Sequence, residues 1–216
     1  VLSQTYRMSS RDNEEGRRRD PANHTYRRAE VRRLEGEAIR DALLAVSRRL
    51  DRTMYGPSVP IHLTDFMQSR GRPPKSGPLD GHGRRTIYLE VRRNFLSPMM
   101  LAFDVPQPAG PAGRRTESNV PAQALIMMNN EFVAQQARLC AEWLLAEQAP
   151  DDARLTQLYL AAYGRPPTDS ERPALQGFLV QQERAHRAAG AEDATLAAWS
   201  DLCHVVFNVK EFIYLH

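Results

Sequence analysis

The run Gly164-Arg165-Pro166-Pro167-Thr168-Asp169-Ser170-Glu171 has the residues that typically end one helix and begin another. Glycine is the usual residue in the left-handed position that closes a helix, and the two prolines that follow cannot continue one. Thr168 and Glu171 have the spacing of a capping box, in which each side chain binds a backbone N–H group at the start of the next helix. The run therefore predicts two helices joined by a short loop, the first ending at Tyr163.

The rest of the C-terminal part also has the apolar spacing of helices. In the helix predicted over residues 194–208, Trp199 lies on the apolar stripe, so we expect it in the core rather than on a binding surface. Asn119, shortly before Pro121, is predicted to cap the helix over residues 122–128. The predicted helices cover residues 122–128, 131–147, 152–163 and 194–208. The side chains predicted to be buried in the first two are Leu125, Met128, Phe132, Val133, Leu139 and Leu144.

The N-terminal part contains one long helical pattern. Apolar residues from Val31 to Val46 recur at the three-and-four spacing of one helix face, which predicts a helix over residues 25–50. The polar segment 11–23 before it has mixed charges and is predicted to be an exposed loop. The residues predicted for the solvated face of the helix are Glu30, Arg33, Glu37 and Arg40.

Glycine and proline interrupt the chain between residues 56 and 83 at a density that neither a long helix nor a central strand tolerates. The alternation of Ile87, Leu89 and Val91 with polar residues then predicts a strand over residues 84–94, with these three side chains buried. The fold class is therefore mainly α, a helical bundle-like core with a small irregular insertion that contains one or two short β-strands. Within one fold we separate an N-terminal loop and long helix, a loop-rich Arg-rich insertion and an acidic helical subdomain, at residues 1–53, 54–120 and 121–216.

Composition is that of a soluble globular protein: 42% of the 216 residues are hydrophobic and 25% are charged. No apolar run is long enough for a signal peptide or a membrane span. Residues 1–120 hold 22 basic and 14 acidic residues, whereas residues 121–216 hold 7 and 12. The basic part can attract an anionic ligand, or the two parts can dock on each other or on neighbouring domains. Cys140 and Cys203 fall in predicted helices and are expected to be free buried thiols.

All but two of the 29 basic residues are Arg. Arg grips carboxylate, sulfate or phosphate through two parallel hydrogen bonds, so paired arginines predict an anion-facing surface. Tyr88 lies between the first two pairs and is included in the candidate site. The pairs are Arg84-Arg85, Arg92-Arg93 and Arg114-Arg115.

Arg114 and Arg115 shortly precede a predicted helix N-terminus, whose partial positive charge also favours an anion. The alternative is that one of them pairs with Asp104 or Glu117 and only holds the loop in place. Glu90 and Asp104 are the candidates for acid–base chemistry, although neighbouring arginines keep a carboxylate ionised and suit it better to structure or to base work.

The sequence contains no complete catalytic motif. The six histidines lack the close His, Cys or carboxylate spacing of a metal site, and haem-attachment, phosphate-loop and nucleophile-elbow motifs are absent from the sequence. We therefore expect no metal site and no cofactor in this chain, and the sequence names no catalytic residue.

Several short motifs, each weak alone, are jointly specific and span nearly the whole chain. They resemble the planctomycete-specific domain of unknown function that lies at the C-terminal end of large proteins, often with cytochrome-c-like domains upstream. In the first half the motifs are Ser3-Gln4-Thr5-Tyr6-Arg7-Met8-Ser9-Ser10, residues 32–44, Gly56-Pro57-Ser58-Val59, Arg85-Thr86-Ile87-Tyr88 and Val91-Arg92-Arg93-Asn94. In the second half they are Ala102-Phe103-Asp104, Pro121-Ala122-Gln123-Ala124-Leu125, Phe132-Val133, Gly164-Arg165-Pro166-Pro167-Thr168 and residues 208–214.

The resemblance implies the C-terminal portion of an exported multi-domain bacterial protein, periplasmic or at the cell surface, with no established reaction. Two positions depart from the family pattern: Glu90 stands where Pro is usual, and Val209-Lys210 replaces the usual Asn. Family members often accompany sulfatase-like proteins and glycan-binding modules, which implies a sulfated or acidic polysaccharide as the anionic partner. That implication comes from neighbourhood and not from side-chain chemistry.

Three functions follow as hypotheses. The first is a non-catalytic interaction domain that docks upstream domains of the same polypeptide, such as a cytochrome. The second is binding or processing of an anionic polysaccharide by the arginine pairs. The third is nucleic-acid binding, which thin aromatic interleaving and a net charge of only +3 disfavour. Arginine pairs that converge in one cleft with Tyr88 would favour the polysaccharide, and pairs that each meet a local carboxylate would favour docking.

Overall fold

The computed structural model describes residues 3–4, 6–108, 110–111 and 113–215, so Thr5, Ala112 and His216 of the segments discussed above lie outside it. The described residues form a mainly helical fold with one two-stranded antiparallel sheet, which confirms the predicted fold class. In chain order the elements are α1 Glu14–Arg19, β1 Arg32–Arg33, α2 Gly36–Val46, α3 Pro98–Ala102, α4 Pro121–Asn129, α5 Glu131–Ala146, α6 Asp151–Tyr163, α7 Glu171–Ala188, α8 Ala194–Asn208, α9 Lys210–Ile213 and β2 Tyr214–Leu215.

The core is centred on α5 and α8, which make the most extensive helix pairing of the fold. α7 packs on α8, and α2 and α6 contact α5. Leu144 of α5 and Phe207 of α8 are completely buried, and Trp199 is buried as predicted. Burial of each such side chain stabilises the fold by about 1.5–3 kcal/mol. The helices of the C-terminal part are therefore held by a shared apolar core.

The boundary between α6 and α7 is built as the sequence indicates. Gly164 has a left-handed backbone with φ of 71°, and α6 ends there. The backbone N–H of Thr168 donates to Glu171 Oε2 at 2.7 Å, and the N–H of Glu171 donates to Thr168 Oγ1 at 3.3 Å. This reciprocal pair is the capping box that the sequence predicts.

Two details of α4 differ from the prediction. Leu125 and Met128 are more than half exposed, whereas Met127 is buried at 2% exposure. α4 turns its Met127 face toward α3 and α8, so the predicted buried face is wrong by one position. Asn119 does not cap the helix, because Val120 is the residue that precedes the first turn and Pro121 begins it.

The long helix predicted over residues 25–50 is wrong, because α2 covers only the second half of it. Tyr26 has a positive φ of 51°, which no helix tolerates. Further along, β1 pairs with β2, and the N–H of Leu34 donates to the carbonyl of Ile213 at 2.7 Å. Pairing with the far end of the chain has overridden the local helical pattern.

The predicted loop over residues 11–23 contains a short helix, α1, so that prediction is also wrong in part. The side chain of Asn13 accepts from the N–H of Gly16 at 2.7 Å and caps the first turn. Acidic residues in the first turn and arginines in the last complement the helix dipole, which explains why a fully polar segment is helical.

The strand predicted over residues 84–94 does not form. Thr86–Tyr88 is a turn of 3₁₀-helix, and Ile87 and Val91, expected to be buried, are 76% and 65% exposed. Thr86, expected on the exposed face, is the buried residue. The reason lies in the polar contacts that α2 makes with Thr86, described below.

Cys140 and Cys203 are fully buried free thiols, as predicted. Burial, together with contact with the Cys140 thiol, raises the pKa of Cys203. In the described part of the chain no helix is both long and apolar enough to cross a membrane.

Candidate functional site

Arg40 of α2 anchors the loop-rich part of the chain. Its side chain is 5% exposed, although the sequence places it on a solvated face. It donates to the carbonyl oxygens of Asp80 at 2.6 Å and Arg84 at 3.0 Å, and to Thr86 Oγ1 at 3.0 Å. Burial lowers the pKa of Arg40 to about 10, and the nearby charges of Asp41 and Asp80 oppose this, so the guanidinium is charged at neutral pH.

Asp41 completes this anchor from the next position of α2. Its Oδ1 accepts from the backbone N–H and the hydroxyl of Thr86, both at 2.7 Å. Its Oδ2 accepts from Arg85 Nε at 3.4 Å. The hydroxyl of Thr86 is therefore hydrogen-bonded to the side chains of both Arg40 and Asp41. These contacts fix the irregular backbone of this segment.

A second segment lies beside this anchored one. The N–H of Val59 donates to the carbonyl of Tyr88, and the N–H of Glu90 donates to the carbonyl of Val59, both at 2.8 Å. The N–H of Tyr55 donates to the hydroxyl of Tyr88 at 2.9 Å. Residues 54–59 and 84–93 thus form one continuous surface, which we call the loop surface.

The loop surface exposes large apolar side chains. Met54 and Tyr55 are 62% and 77% exposed, and Ile87 and Val91 are exposed to a similar degree. Tyr55 also has a positive φ of 65°, which is costly for a bulky residue. Four exposed apolar side chains on two paired segments make this surface a candidate for contact with a partner.

The first two predicted arginine pairs lie on the loop surface and are mostly engaged locally. Arg84 donates to the carbonyl of Tyr55 at 2.6 Å, and its guanidinium lies 4.1 Å from the centre of the Tyr88 ring. Arg92 forms an ion pair with Glu90 at 2.9 Å. Arg93 is exposed and forms no ion pair with another described residue.

The third pair lies at the start of α2. Arg115 donates to both carboxylate oxygens of Glu37, at 2.9 and 2.7 Å, and lies 3.2 Å from Glu35. Its hydrogen bonds lower the pKa of Glu37, and the same contact raises the pKa of Arg115. Glu37 and Asp41 are one helical turn apart, so Arg85 and Arg115 meet the same face of α2, each against its own carboxylate. Arg114 is exposed.

Asp104, the other acid–base candidate, joins three segments. It accepts from Arg33 Nη2 at 2.8 Å and from the N–H and hydroxyl of Ser118 at 2.8 Å. Burial raises the pKa of Asp104, but these hydrogen bonds outweigh it and lower the pKa overall. The adjoining cavity of about 20 Å³ has room for roughly one water molecule. This geometry suits a structural tie better than a proton donor.

Glu90 and Asp104 share no partner, because Glu90 pairs with Arg92 and Asp104 pairs with Arg33. Within the described ranges no three His, Cys, Asp or Glu side chains are placed to hold a metal ion. Arg33 and Arg40, expected on a solvated face, have buried side chains and organise the region together with Asp41 and Ser118, for which no role is predicted from the sequence. A signal existed for Arg40, since it is spaced three and four residues from the buried Leu43 and Leu44.

Comparison with known proteins gives a family and no activity. A family model described as PSD1, protein of unknown function (DUF1553), matches residues 1–179. No curated protein matches the chain, and no solved structure matches it.

Proposed function

The chain belongs to the PSD1 family of proteins of unknown function (DUF1553), and we propose that it is a non-catalytic interaction domain of a larger exported bacterial protein. In this role the loop surface docks on another domain of the same polypeptide. The resemblance described above makes a cytochrome-c-like domain the first partner to test.

The exposed apolar group on the loop surface is the observation that carries the proposal. Protein–protein interfaces have an apolar core in which Tyr, Met and Arg are enriched, surrounded by a polar rim. Met54, Tyr55, Ile87 and Val91 supply such a core, and Arg84 and Arg92 lie beside it. The Arg40 and Asp41 anchor supports docking further, because a prearranged surface loses less conformational entropy on binding.

The local pairing of the arginines favours docking over a concentrated anion site. Arg85, Arg92 and Arg115 each already meet a carboxylate, which a sulfated or acidic ligand would have to displace. A partner with an apolar centre, and with acidic residues only opposite Arg93, which has no ion pair among the described residues, requires no such displacement. We therefore expect a complementary surface of that kind on the partner domain.

The proposal is tested by binding of the purified chain to the separately produced partner domains, measured by calorimetry. Substituting both Tyr55→Ser and Ile87→Asp is expected to weaken binding at least about tenfold, because interface core residues carry most of the binding energy. Val180→Asp is the matched control, since Val180 is 69% exposed on α7, away from the loop surface. Equal loss of binding in the control would count against the loop surface, and no binding by the wild-type chain would count against docking.

A polysaccharide ligand is the second candidate, because Arg93 and Arg114 are exposed and form no ion pair with other described residues. A titration with sulfated and uncharged polysaccharides at two salt concentrations tests it. Salt-sensitive binding that the Arg93→Gln, Arg114→Gln double variant loses, and that Arg18→Gln on α1 keeps, would favour this candidate over docking. Duplex DNA in the same titration tests the third hypothesis.

A further inference from the structure

A groove of about 590 Å³ lies between the end of α2, α5 and α6, in a part of the molecule that the proposed docking role does not use. Its volume is within the range of small-molecule sites in proteins, about 300–1,000 Å³. Arg48 and Arg52 line one part of it, Glu147 and Gln157 another, and Leu160 provides a half-exposed apolar wall. None of these residues belongs to the predicted arginine pairs.

Arg48 occupies a backbone position that normally belongs to glycine. It directly follows Ser47, the C-cap residue of α2, and has a positive φ of 60°. The N–H of Arg49 then donates to the carbonyl of Leu44 at 2.8 Å, which closes the helix. Arg in this left-handed position is strained where Gly is not. A strained residue at the edge of a groove is reason to look for a function in its side chain.

The side chain of Arg48 has a stacking partner but no anion. Its guanidinium lies 4.5 Å from the centre of the Trp143 ring. Among the described residues neither Arg48 nor Arg52 forms an ion pair, and both are exposed. Two guanidinium groups that line one groove and form no ion pair with the described residues favour an oxyanion as ligand. The outer face of a stacked guanidinium also accepts a flat ring.

The other part of the groove offers a hydrogen-bond acceptor. Gln157 Nε2 donates to Glu147 Oε2 at 3.2 Å. This contact orients the carboxylate of Glu147 and leaves its remaining lone pairs to accept from a ligand hydroxyl. The groove thus combines cationic donors, an apolar wall and an anionic acceptor.

We propose that this groove binds a small hydroxyaryl carboxylate. The carboxylate binds Arg48 and Arg52, the ring packs on Leu160 and on the stack of Arg48 and Trp143, and the hydroxyl group donates to Glu147. The proposal is independent of docking by the loop surface.

Titration of the purified chain with 4-hydroxyphenylacetate, followed by NMR and calorimetry, tests the proposal. We expect saturable binding in the micromolar to millimolar range. The neutral 4-hydroxyphenethyl alcohol should bind about tenfold more weakly, because it lacks the charge that the guanidiniums recognise. Phenylacetate should also bind more weakly, since it offers Glu147 no donor. No saturable binding of 4-hydroxyphenylacetate, or equal binding of the neutral alcohol, would overturn the proposal.

Three variants separate a binding role from a structural one. Arg48→Gly relieves the backbone strain, so it should melt no lower than the wild-type chain while binding the probe at least about tenfold more weakly. Arg52→Gln should weaken binding similarly, and Arg49→Gln, which removes the same charge outside the groove, should not. Retained binding in Arg48→Gly and Arg52→Gln would overturn the proposal. If Arg48→Gly melts at a lower temperature than the wild-type chain, the result for Arg52→Gln is decisive. Loss of binding in Arg52→Gln would then support the proposal, and retained binding would overturn it.

Discussion

The helical part, residues 121–215, and the loop-rich part, residues 54–120, are held together by different interactions. In the helical part Leu158 and Phe207 are among many side chains that are completely buried, and the cohesion is apolar. In the loop-rich part several of the largest apolar side chains face water, and Phe66 is 95% exposed. Around Thr86 the order comes from buried polar contacts with α2, above all those of Arg40 and Asp41, whereas Met99, Met100 and Phe103 later in this part join the apolar core.

This difference determines how many residues carry the stability of each part. An apolar core spreads its stabilisation over many contacts, whereas Arg40 alone supplies three hydrogen bonds that hold the loops. Such an arrangement leaves the apolar side chains of the loop surface available for a partner. It also makes the loop-rich part dependent on a few residues that lie outside it.

The largest effect is expected from Phe207→Ala in the helical part. Truncation of this completely buried side chain should lower the free energy of unfolding by about 3–5 kcal/mol, measured by urea denaturation. The loss should be global, because α8 contacts most of the other C-terminal helices. Val180→Ala on the exposed face of α7 is the control and should change little. A cost below about 1 kcal/mol would show that the core is loosely packed.

Arg40→Met should have the next largest effect on stability, and the loss should be concentrated in the loops that Arg40 holds. It leaves the carbonyls of Asp80 and Arg84 without their donor, at a cost of about 2–4 kcal/mol. Amide hydrogen exchange should accelerate over residues 80–90 while α5 and α8 keep their protection. Arg138→Met, at an exposed ion pair, is the matched control. Uniform acceleration in all helices would contradict the proposed division of interactions.

Two glycines with the same backbone angle compare the parts directly. Gly83 and Gly164 both have φ of 71°, so Ala is strained at either position. At Gly164 an added Cβ meets no neighbouring atom within 4 Å, but at Gly83 it would collide with the backbone carbonyl oxygen of Arg49. Gly83→Ala should therefore cost about 1–2 kcal/mol more than Gly164→Ala in urea denaturation. Equal costs would mean that the backbone around Gly83 shifts easily to accept the added Cβ. That result would contradict the fixed backbone that the Arg40 and Asp41 contacts imply.

The smallest effect concerns a charge in the helical part. Hydrogen bonds from Arg165 lower the pKa of Glu171 from 4.5 to about 2. Since the folded protein has the lower pKa, the resulting stability is fully present above about pH 4.5 and disappears as the pH falls toward 2. Glu171→Gln, which can still cap the helix, should lower the free energy of unfolding at pH 7 by about 1 kcal/mol or less, measured as a fall in melting temperature. The difference from wild type should vanish near pH 2, and a constant difference would contradict the charge assignment.

The sequence predicts the helical part well because its signals are local. Apolar spacing, the glycine exit and the capping box lie within a few residues of the structure that they determine. The loop-rich part escapes prediction because its determinants are distant partners. Thr86 is buried on account of Asp41, and nothing near Thr86 in the chain indicates this. For the same reason the arginine pairs indicate charge but not that Arg115 already binds Glu37.

The pairing of β1 with β2 has a consequence for synthesis on the ribosome. The two strands lie nearly a whole chain length apart, so β1 has no partner until Tyr214 and Leu215 have left the exit tunnel. Domains begin to fold from the N-terminal side during translation, and contacts between distant residues form late. The earlier helices can therefore form while the nascent chain grows, but the pairing of α5 with α8 and the locking of the segment before α2 wait until residues 194–215 have emerged.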